Sequence, residues 1–379
     1  MRILMMLSKS SNRWGNQWVK TLVLGLSCFT VLLTHAQSQL QLQALRGMTL
    51  PIHPDYPEIL RPARGLGWTW YPSVRPDAVW RRHHPKARLG YSLWGLDPGN
   101  SAVLGQALAA MPVLRFTFWQ RKNWRAHALY GSGIAFINQT FHPIQNPTNI
   151  AMGARLNSVT LLQIGMACQL PSGLGLQLDM IGQHYSNSNV RIPNLGLNVV
   201  GASLGVQYGA PPISTITIPR DSLRKGAWRM AGKIGRGFTG SKTPGGPTYP
   251  VWVGSAYVTR TRKQRLRWRA GFEAFHTESV LAFAQNQDIR TVNLRRDGWG
   301  LIAFGGAEFL FGHAALVAQL GPYLRRPFQM DFLLYTKWGG QFYLHNQHIH
   351  QGPSPYLGVY VHAHSGEADF AEVALGWVF

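Results

Sequence analysis

His184 and Ser186 stand two residues apart in the segment HYSNSN (184–189), at the end of an alternating apolar run, and this is where the chain could do chemistry. A serine hydroxyl becomes a useful nucleophile when a histidine accepts its proton and a third polar group orients the imidazole. Side chains of a strand alternate between its two faces, so His184 and Ser186 share one. Counting back, that face carries Leu174, Leu176, Leu178 and Met180, while Gln177, Asp179 and Gln183 lie opposite. Asn198 opens the next alternating run and has the parity of Val200, Ala202, Leu204 and Val206. Across a hairpin it comes within reach of His184. Three polar groups therefore emerge together above an apolar stripe, as an ester hydrolase acting on a membrane lipid requires.

The elements that must position them are strands. Period-two segments recur from about Ala87 to the C-terminus and read as roughly 14 strands (12–16) of an all-β, antiparallel transmembrane outer-membrane barrel. In the last of them Val373, Leu375, Trp377 and Phe379 share one face, with Glu372, Ala374 and Gly376 on the other. An apolar alternation ending in a terminal aromatic resembles the signal by which the outer-membrane assembly machinery recognises its barrels, so that machinery is an expected partner. Arg267, Arg269 and Glu273 alternate with Trp268, Ala270 and Phe272, and their charges should face inward, since arginine on the lipid side is costly. Long and short connections alternate in a way that puts 187–197 at the extracellular rim. The long connections 209–225 and 344–353 are exceptions on the periplasmic side.

The remaining organisation is simple. Residues 1–36 read as a secretory signal: a basic lead (Arg2, Lys9, Arg13, Lys20), an apolar core from Thr21 to Leu33 and a small-residue cleavage site ending at Ala36. Residues 37–86, with Pro57, Pro62, Pro72 and Pro76, read as a periplasmic or lumenal lead rather than strands, Gly65 to Tyr71 being the possible exception. A single barrel is then expected over 87–379. Low charged content (14%) with 14 Trp, 13 Tyr and 17 Phe suits a barrel with aromatic girdles. The net charge of +22 would ordinarily suggest nucleic acid, but an exported chain seldom meets any. Anionic glycolipid phosphates of a Gram-negative surface are the more natural counter-charge. Cys168 is the one cysteine beyond the expected signal, which excludes an internal disulfide framework.

The same residues resemble the lipid A 3-O-deacylase (PagL-like) family of acyloxyacyl hydrolases, whose motif runs His-x-Ser-Asn and then Pro-Asn-x-Gly. Here these are HYSN at 184–187 and PNLG at 193–196. The resemblance is strongest over about 86–208. Longer Bacteroidetes-type relatives look similar throughout, including AMGARLNS (151–158) and the segment 362–379. It implies that His184 and Ser186 are catalytic and that Asn187 and Asn194 lie at the oxyanion and substrate-positioning site. The family's third triad member is a glutamate where this chain has Asn198. An asparagine still orients a histidine but lends no full charge to the imidazolium. The family's small members are eight-stranded, so the extra strands are a second departure.

Arg191 and Arg155 are candidates for contact with glycolipid phosphates. The reading implies lipid A of the outer leaflet as substrate and no metal or organic cofactor, because acyl transfer by this route needs neither. His345, His348 and His350 match no strong ligand spacing and read as a solvated loop. The basic run Arg81, Arg82, His83, His84, Lys86, Arg88 reads as a solvated entry segment, and His362 as an interior partner of Glu372. The competing class is a non-catalytic barrel, a small pore or a structural protein that binds lipopolysaccharide without cleaving it.

Overall fold

The computed structural model describes residues 38–379 apart from 74–78, 172, 210–225, 242, 290–292, 329, 331, 351 and 365. The signal expected over 1–36 lies outside them. Sixteen antiparallel strands form two closed eight-stranded barrels rather than one. The first comprises β1 (Gln39–Thr49), β2 (Ala63–Tyr71), β3 (Ala87–Asp97), β4 (Ala107–Arg121), β5 (Trp124–Ile137), β6 (Leu156–Gln169), β7 (Leu174–Ser186) and β8 (Leu197–Tyr208). The second comprises β9 (Trp228–Gly240), β10 (Thr248–Arg262), β11 (Leu266–Thr277), β12 (Trp299–Phe311), β13 (Ala314–Arg325), β14 (Leu334–Tyr343), β15 (Ser354–His364) and β16 (Glu367–Val378). Three short helices interrupt the connections: α1 (Val79–His83), α2 (Ser279–Asn286) and α3 (Leu294–Asp297).

Two expectations are corrected. The segment 37–86 is not a lead, because β1 and β2 close the first barrel, with Leu40 opposite both Trp70 and Tyr208. Of the prolines that argued against strands, Pro57 and Pro62 fall in the 50–62 connection between them, Pro72 directly follows β2, and Pro76 lies outside the described residues. The second correction is the number of barrels. An eight-stranded barrel is just wide enough for its own side chains to fill. The interiors here hold large residues: Trp94, Tyr71 and Tyr185 in the first barrel, and Tyr335, Tyr343, Tyr360 and Phe275 in the second, all nearly inaccessible. A single barrel of about twice the circumference would leave these rings around water. Filled interiors also leave the small-pore reading without support.

The alternation that defined the strands sorts the faces cleanly. Met180, Leu178, Leu204, Ile234 and Leu375 are exposed on the outer walls, while Gln43, Gln177, Asp179, Ser203 and Gln207 are buried inside. A polar interior within an apolar exterior inverts a soluble protein and is the pattern of a barrel whose outside meets lipid. The chain is an integral outer-membrane protein.

Each interior is held by a network of buried charged and polar groups. In the first barrel Asp179 accepts from Gln43 at 2.8 Å and lies 2.9 Å from His127 Nε2, and Arg115 donates to Gln177 at 2.8 Å. In the second, Lys337 Nζ lies 2.7 Å from Glu273 and 2.8 Å from Glu372. Lys233 bridges the same two carboxylates, and His362 Nε2 is 2.6 Å from Glu372. Arg267 and Arg269 flank Glu308 at 3.4 and 3.2 Å, on the inward side as expected. Removing one member strands the rest in a dry core. Glu372→Ala should therefore lower the unfolding free energy by about 3–5 kcal/mol. A shift of that size in the urea midpoint of the detergent-solubilised chain is the check, and an unchanged midpoint would exclude the network as a stabilising element.

The barrels touch at both ends. At the end that carries the termini, His84 Nε2 hydrogen-bonds the Leu310 carbonyl at 2.9 Å, and His83 stacks on His348 at 4.8 Å. The basic run is thus not a free entry segment: Arg81 and His83 are buried. The 344–353 loop is long because it closes the second barrel's mouth, where Gln347 accepts from Arg267 at 2.8 Å and donates to Ser354 at 2.8 Å. His348 is buried there, while His345 stacks on His350 at 4.1 Å. The other long exception, 209–225, lies outside the described residues apart from Gly209.

Burial holds the His84 imidazole down at about 4 and His348 at about 3, both below the ordinary 6.5. The unfolded chain therefore binds more protons than the folded contact below about pH 6.5. The stabilisation from keeping these rings neutral is complete above that pH and is lost as pH falls toward 4. Hydrogen-exchange protection of 345–350 should drop over that window. His348→Phe, which keeps the stack but has no proton to gain, should flatten about half of the dependence, His84 supplying the rest.

Candidate functional site

The end of β7 and the start of β8 place the site. His184 pairs with Asn198 in the ladder, both side chains on the outer wall, and His184 Nδ1 lies 2.7 Å from Asn198 Oδ1. The carboxamide oxygen accepts from the ring, so Nδ1 carries the proton and Nε2 presents its lone pair. His184 is exposed just above the apolar band of Met180 and Leu178, whereas Ser186, two residues on, is only 9% accessible. The outward parity expected for all three holds.

What covers Ser186 is the 187–196 loop. Asn194 Nδ2 donates to Ser186 Oγ at 3.0 Å, and the Ser188 amide donates to the same oxygen at 3.1 Å. Ser186 Oγ in turn donates to Asn194 Oδ1 at 3.4 Å, and the same oxygen accepts from the Asn187 amide at 2.9 Å. Ser186 Oγ thus receives two hydrogen bonds and lends its proton to one long one, which a base has to displace. Among the described residues its hydrogen-bond partners are Asn194 and the Ser188 amide rather than His184. Proton-transfer contacts are often loose until substrate binds.

The loop is rigid for identifiable reasons. Asn187 Nδ2 donates to the Arg191 carbonyl at 2.7 Å, and its Oδ1 accepts from the Arg191 amide at 3.3 Å. The Asn187 carboxamide is therefore occupied with the turn, and its backbone amide, with Asn194, is what points into the Ser186 corner. Ser188 and Asn189 take positive φ at 55° and 58°. Gly196, the glycine of PNLG, has φ of +83°, and a Cβ there would lie 3.1 Å from His184 Cε1, so a side chain would press on the imidazole. Gly153, in AMGAR, approaches the loop so closely that a Cβ would meet the Pro193 and Arg191 carbonyls at 2.7 and 2.8 Å. The Gly196 amide donates to Ala151 O at 3.1 Å, and Tyr56 OH to Gly196 O at 3.1 Å.

Sequence reasoning missed Ser158, whose Oγ donates to the Ser186 carbonyl at 2.7 Å, and the Ser188 amide. Parity alone could have found Ser158, which lies opposite Ser186 in the ladder. Arg191 and Arg155 are both exposed, on the loop and at the foot of β6 beside it. One further cluster, Glu273, His362 and Glu372, is tight enough to bracket an ion. Its carboxylates already face the Lys233 and Lys337 ammonium groups, so the chemistry there is an ion-pair network and not a metal centre.

Fold and site together define an outer-membrane β-barrel protein with a serine, a histidine and an asparagine gathered on its outer wall. Residues 65–207 match the family model described as lipid A 3-O-deacylase (PagL), and 227–379 that described as acyloxyacyl hydrolase, C-terminal domain. The two matches fall on the two barrels in turn and take in most of the chain, which belongs to this PagL family of acyloxyacyl hydrolases. No curated protein matches the chain. Among solved structures it is similar to the outer membrane enzyme PagL (18% identity, 46% of this chain and 99% of that chain, TM-score 0.30). It is similar also to the Pseudomonas putida toluene transporter TodX (9% identity, 92% and 90%, TM-score 0.18). A third is the outer membrane phospholipase A from Escherichia coli (9% identity, 90% and 96%, TM-score 0.18).

Proposed function

We propose that the chain is a serine ester hydrolase that removes an ester-linked acyl chain from lipid A at the lipid-facing extracellular rim of the first barrel. The observation that carries this reading is the His184–Asn198 hydrogen bond on the outer wall, two residues from a serine hydroxyl whose proton is held only by a long, 3.4 Å hydrogen bond to Asn194 Oδ1. A lipid ester reaches such a site sideways from the outer leaflet. Ser186 Oγ attacks the ester carbonyl carbon as His184 Nε2 takes its proton. Asn198 holds the ring in the tautomer that makes this possible. The tetrahedral oxyanion is met by donors of the Ser186 corner, the Ser188 amide and Asn194 Nδ2 first among them. Collapse expels the sugar hydroxyl, which receives the proton from His184. Water, activated by the same imidazole, then releases the fatty acid and restores Ser186.

Asn187 supports this corner through its turn, and Arg191 and Arg155 offer cations at headgroup height. No step calls for a metal or an organic cofactor. Exposed Leu375 and Trp377 of β16, with Phe379 directly after it, are available to the outer-membrane assembly machinery. Expression in a heterologous Gram-negative host is the test. Mass spectrometry should show lipid A short of one acyl chain with the wild type and intact with Ser186→Ala. Intact lipid A in both would favour the second reading, to which Asn198 in place of the family's glutamate lends weight: a barrel that binds lipopolysaccharide without cleaving it.

A further inference from the structure

The loop that covers Ser186 does not end in solvent. It crosses to the second barrel, where the Gly240 amide donates to the Asn189 carbonyl at 2.6 Å and Thr248 Oγ1 to the Val190 carbonyl at 3.0 Å. The Gly245 amide donates to Ile192 O at 3.0 Å, and Asn189 Nδ2 donates to Ala368 O. The contact also says which wall faces the site. A Cβ at Gly240 would lie 3.0 Å from Asn189 O, 3.2 Å from Val190 O and 3.3 Å from Arg191 Cα. Gly240 has the parity of Phe238, Arg236 and Ile234, which are exposed. The outer face of β9 is thus the face against which the 189–191 segment packs, and it continues downward beneath that bridge.

Arg236 is the anomaly on that face. It pairs in the ladder with Trp252 on one side and Val373 on the other, and its strand neighbours facing outward are Ile234 and Phe238, all exposed and apolar. The guanidinium lies 5.1 Å from the Trp252 ring and 5.4 Å from Phe238, and among the described residues it has no carboxylate partner. An arginine on a lipid-facing wall is disfavoured unless an anion meets it. Arg236 sits four residues, about 13 Å of strand, below Gly240. A Cβ at Gly240 would lie 3.3 Å from Arg191 Cα, so the two arginines stand about 13 Å of strand apart along this face, a span that two extended side chains and one phosphate can cover.

We propose that the outer wall of β9 is the phosphate-recognition half of the lipid site: Arg236, together with Arg191, binds a phosphate of the anionic glycolipid whose ester reaches Ser186. The inference rests on the hydrolase reading for the identity of the lipid. It gives the second barrel a role in substrate selection. Planar guanidinium groups suit the paired oxygens of a phosphate monoester, and the flanking Trp252 and Phe238 limit the water that would screen them.

The test is a binding measurement without turnover. The full chain carrying Ser186→Ala is titrated in zwitterionic detergent with bisphosphorylated lipid A and with the same lipid after phosphate removal, binding being read from tryptophan emission. The phosphorylated lipid should bind about tenfold more tightly. Adding Arg236→Gln should shrink that preference to within about twofold, and Arg236→Lys should keep part of it, because charge survives without the fork. A preference that survives Arg236→Gln, an equal loss for both lipids, no binding at all, or inorganic phosphate binding as tightly as the lipid would each overturn the proposal. Retained heat-modifiable migration on gels shows that the variants are folded. The hydrolase reading fails on a different observation, intact lipid A in cells making the wild type.

Discussion

Purified Ser186→Ala should release fatty acid from lipid A at least about 10³-fold more slowly than the wild type, and His184→Ala should cost a comparable factor. The reason lies in the division of labour at the end of β7. Asn194 Nδ2 and the Ser188 amide donate to Ser186 Oγ and hold the oxygen in place, while its proton goes to Asn194 Oδ1 in a long bond of 3.4 Å. In the proposed mechanism His184, two residues before on the same outward face, is the base that removes it. Residues that act as one unit are not additive, so the double variant should be no slower than the worse single one. Single-turnover acyl release from lipid A in detergent measures all three. A His184→Ala chain within tenfold of the wild type would remove the histidine from the mechanism.

Asn198→Glu should accelerate the chain by about 10- to 100-fold in kcat, with KM changed less than twofold. The hydrogen bond from His184 Nδ1 to Asn198 Oδ1, 2.7 Å long, already selects the productive tautomer. That service is the part whose loss is severe when a triad carboxylate becomes a carboxamide and the amide turns its nitrogen to the ring. What the carboxamide lacks is a full negative charge to stabilise the imidazolium in the transition state. A glutamate supplies it at the ladder position opposite His184. Asn198→Leu, which has neither acceptor nor charge, should fall well below the wild type in the same assay. Equal rates for all three chains would mean that the imidazole needs no partner, and Asn198 would then be only a ladder residue.

The site was legible because strand parity is a local property. His184, Ser186 and Asn198 were placed on one face by counting in twos, and the apolar stripe of Leu174 to Met180 named that face as the lipid side. Fourteen of the strands, from β3 to β16, were found by the same alternation. β1 was lost although its Gln39, Gln41, Gln43 and Leu45 alternate with Leu40, Leu42 and Ala44, because prolines from the 50–62 connection were counted against it. His83, His84 and His348 read as solvated for a different reason. They meet in a contact between segments 226 or more residues apart, and composition carries no record of such a partner.

Alternation and the HYSN/PNLG spacing, read from residues alone, were sufficient to point to a lipid-exposed β-barrel with a serine and a histidine on its outer wall. Closure was decided only in three dimensions. A strand's pattern states which face is apolar, but its neighbour is chosen by hydrogen bonding along edges that lie far apart in the chain. β8 therefore pairs with β1 and leaves β9 to pair with β16. That choice splits one expected cylinder into two filled ones, and it brings Gly240 and Thr248 of the second against the loop over Ser186. Packing interiors of tyrosine, tryptophan and paired ions favours the narrow barrels, since only at that radius do these side chains reach one another and exclude water.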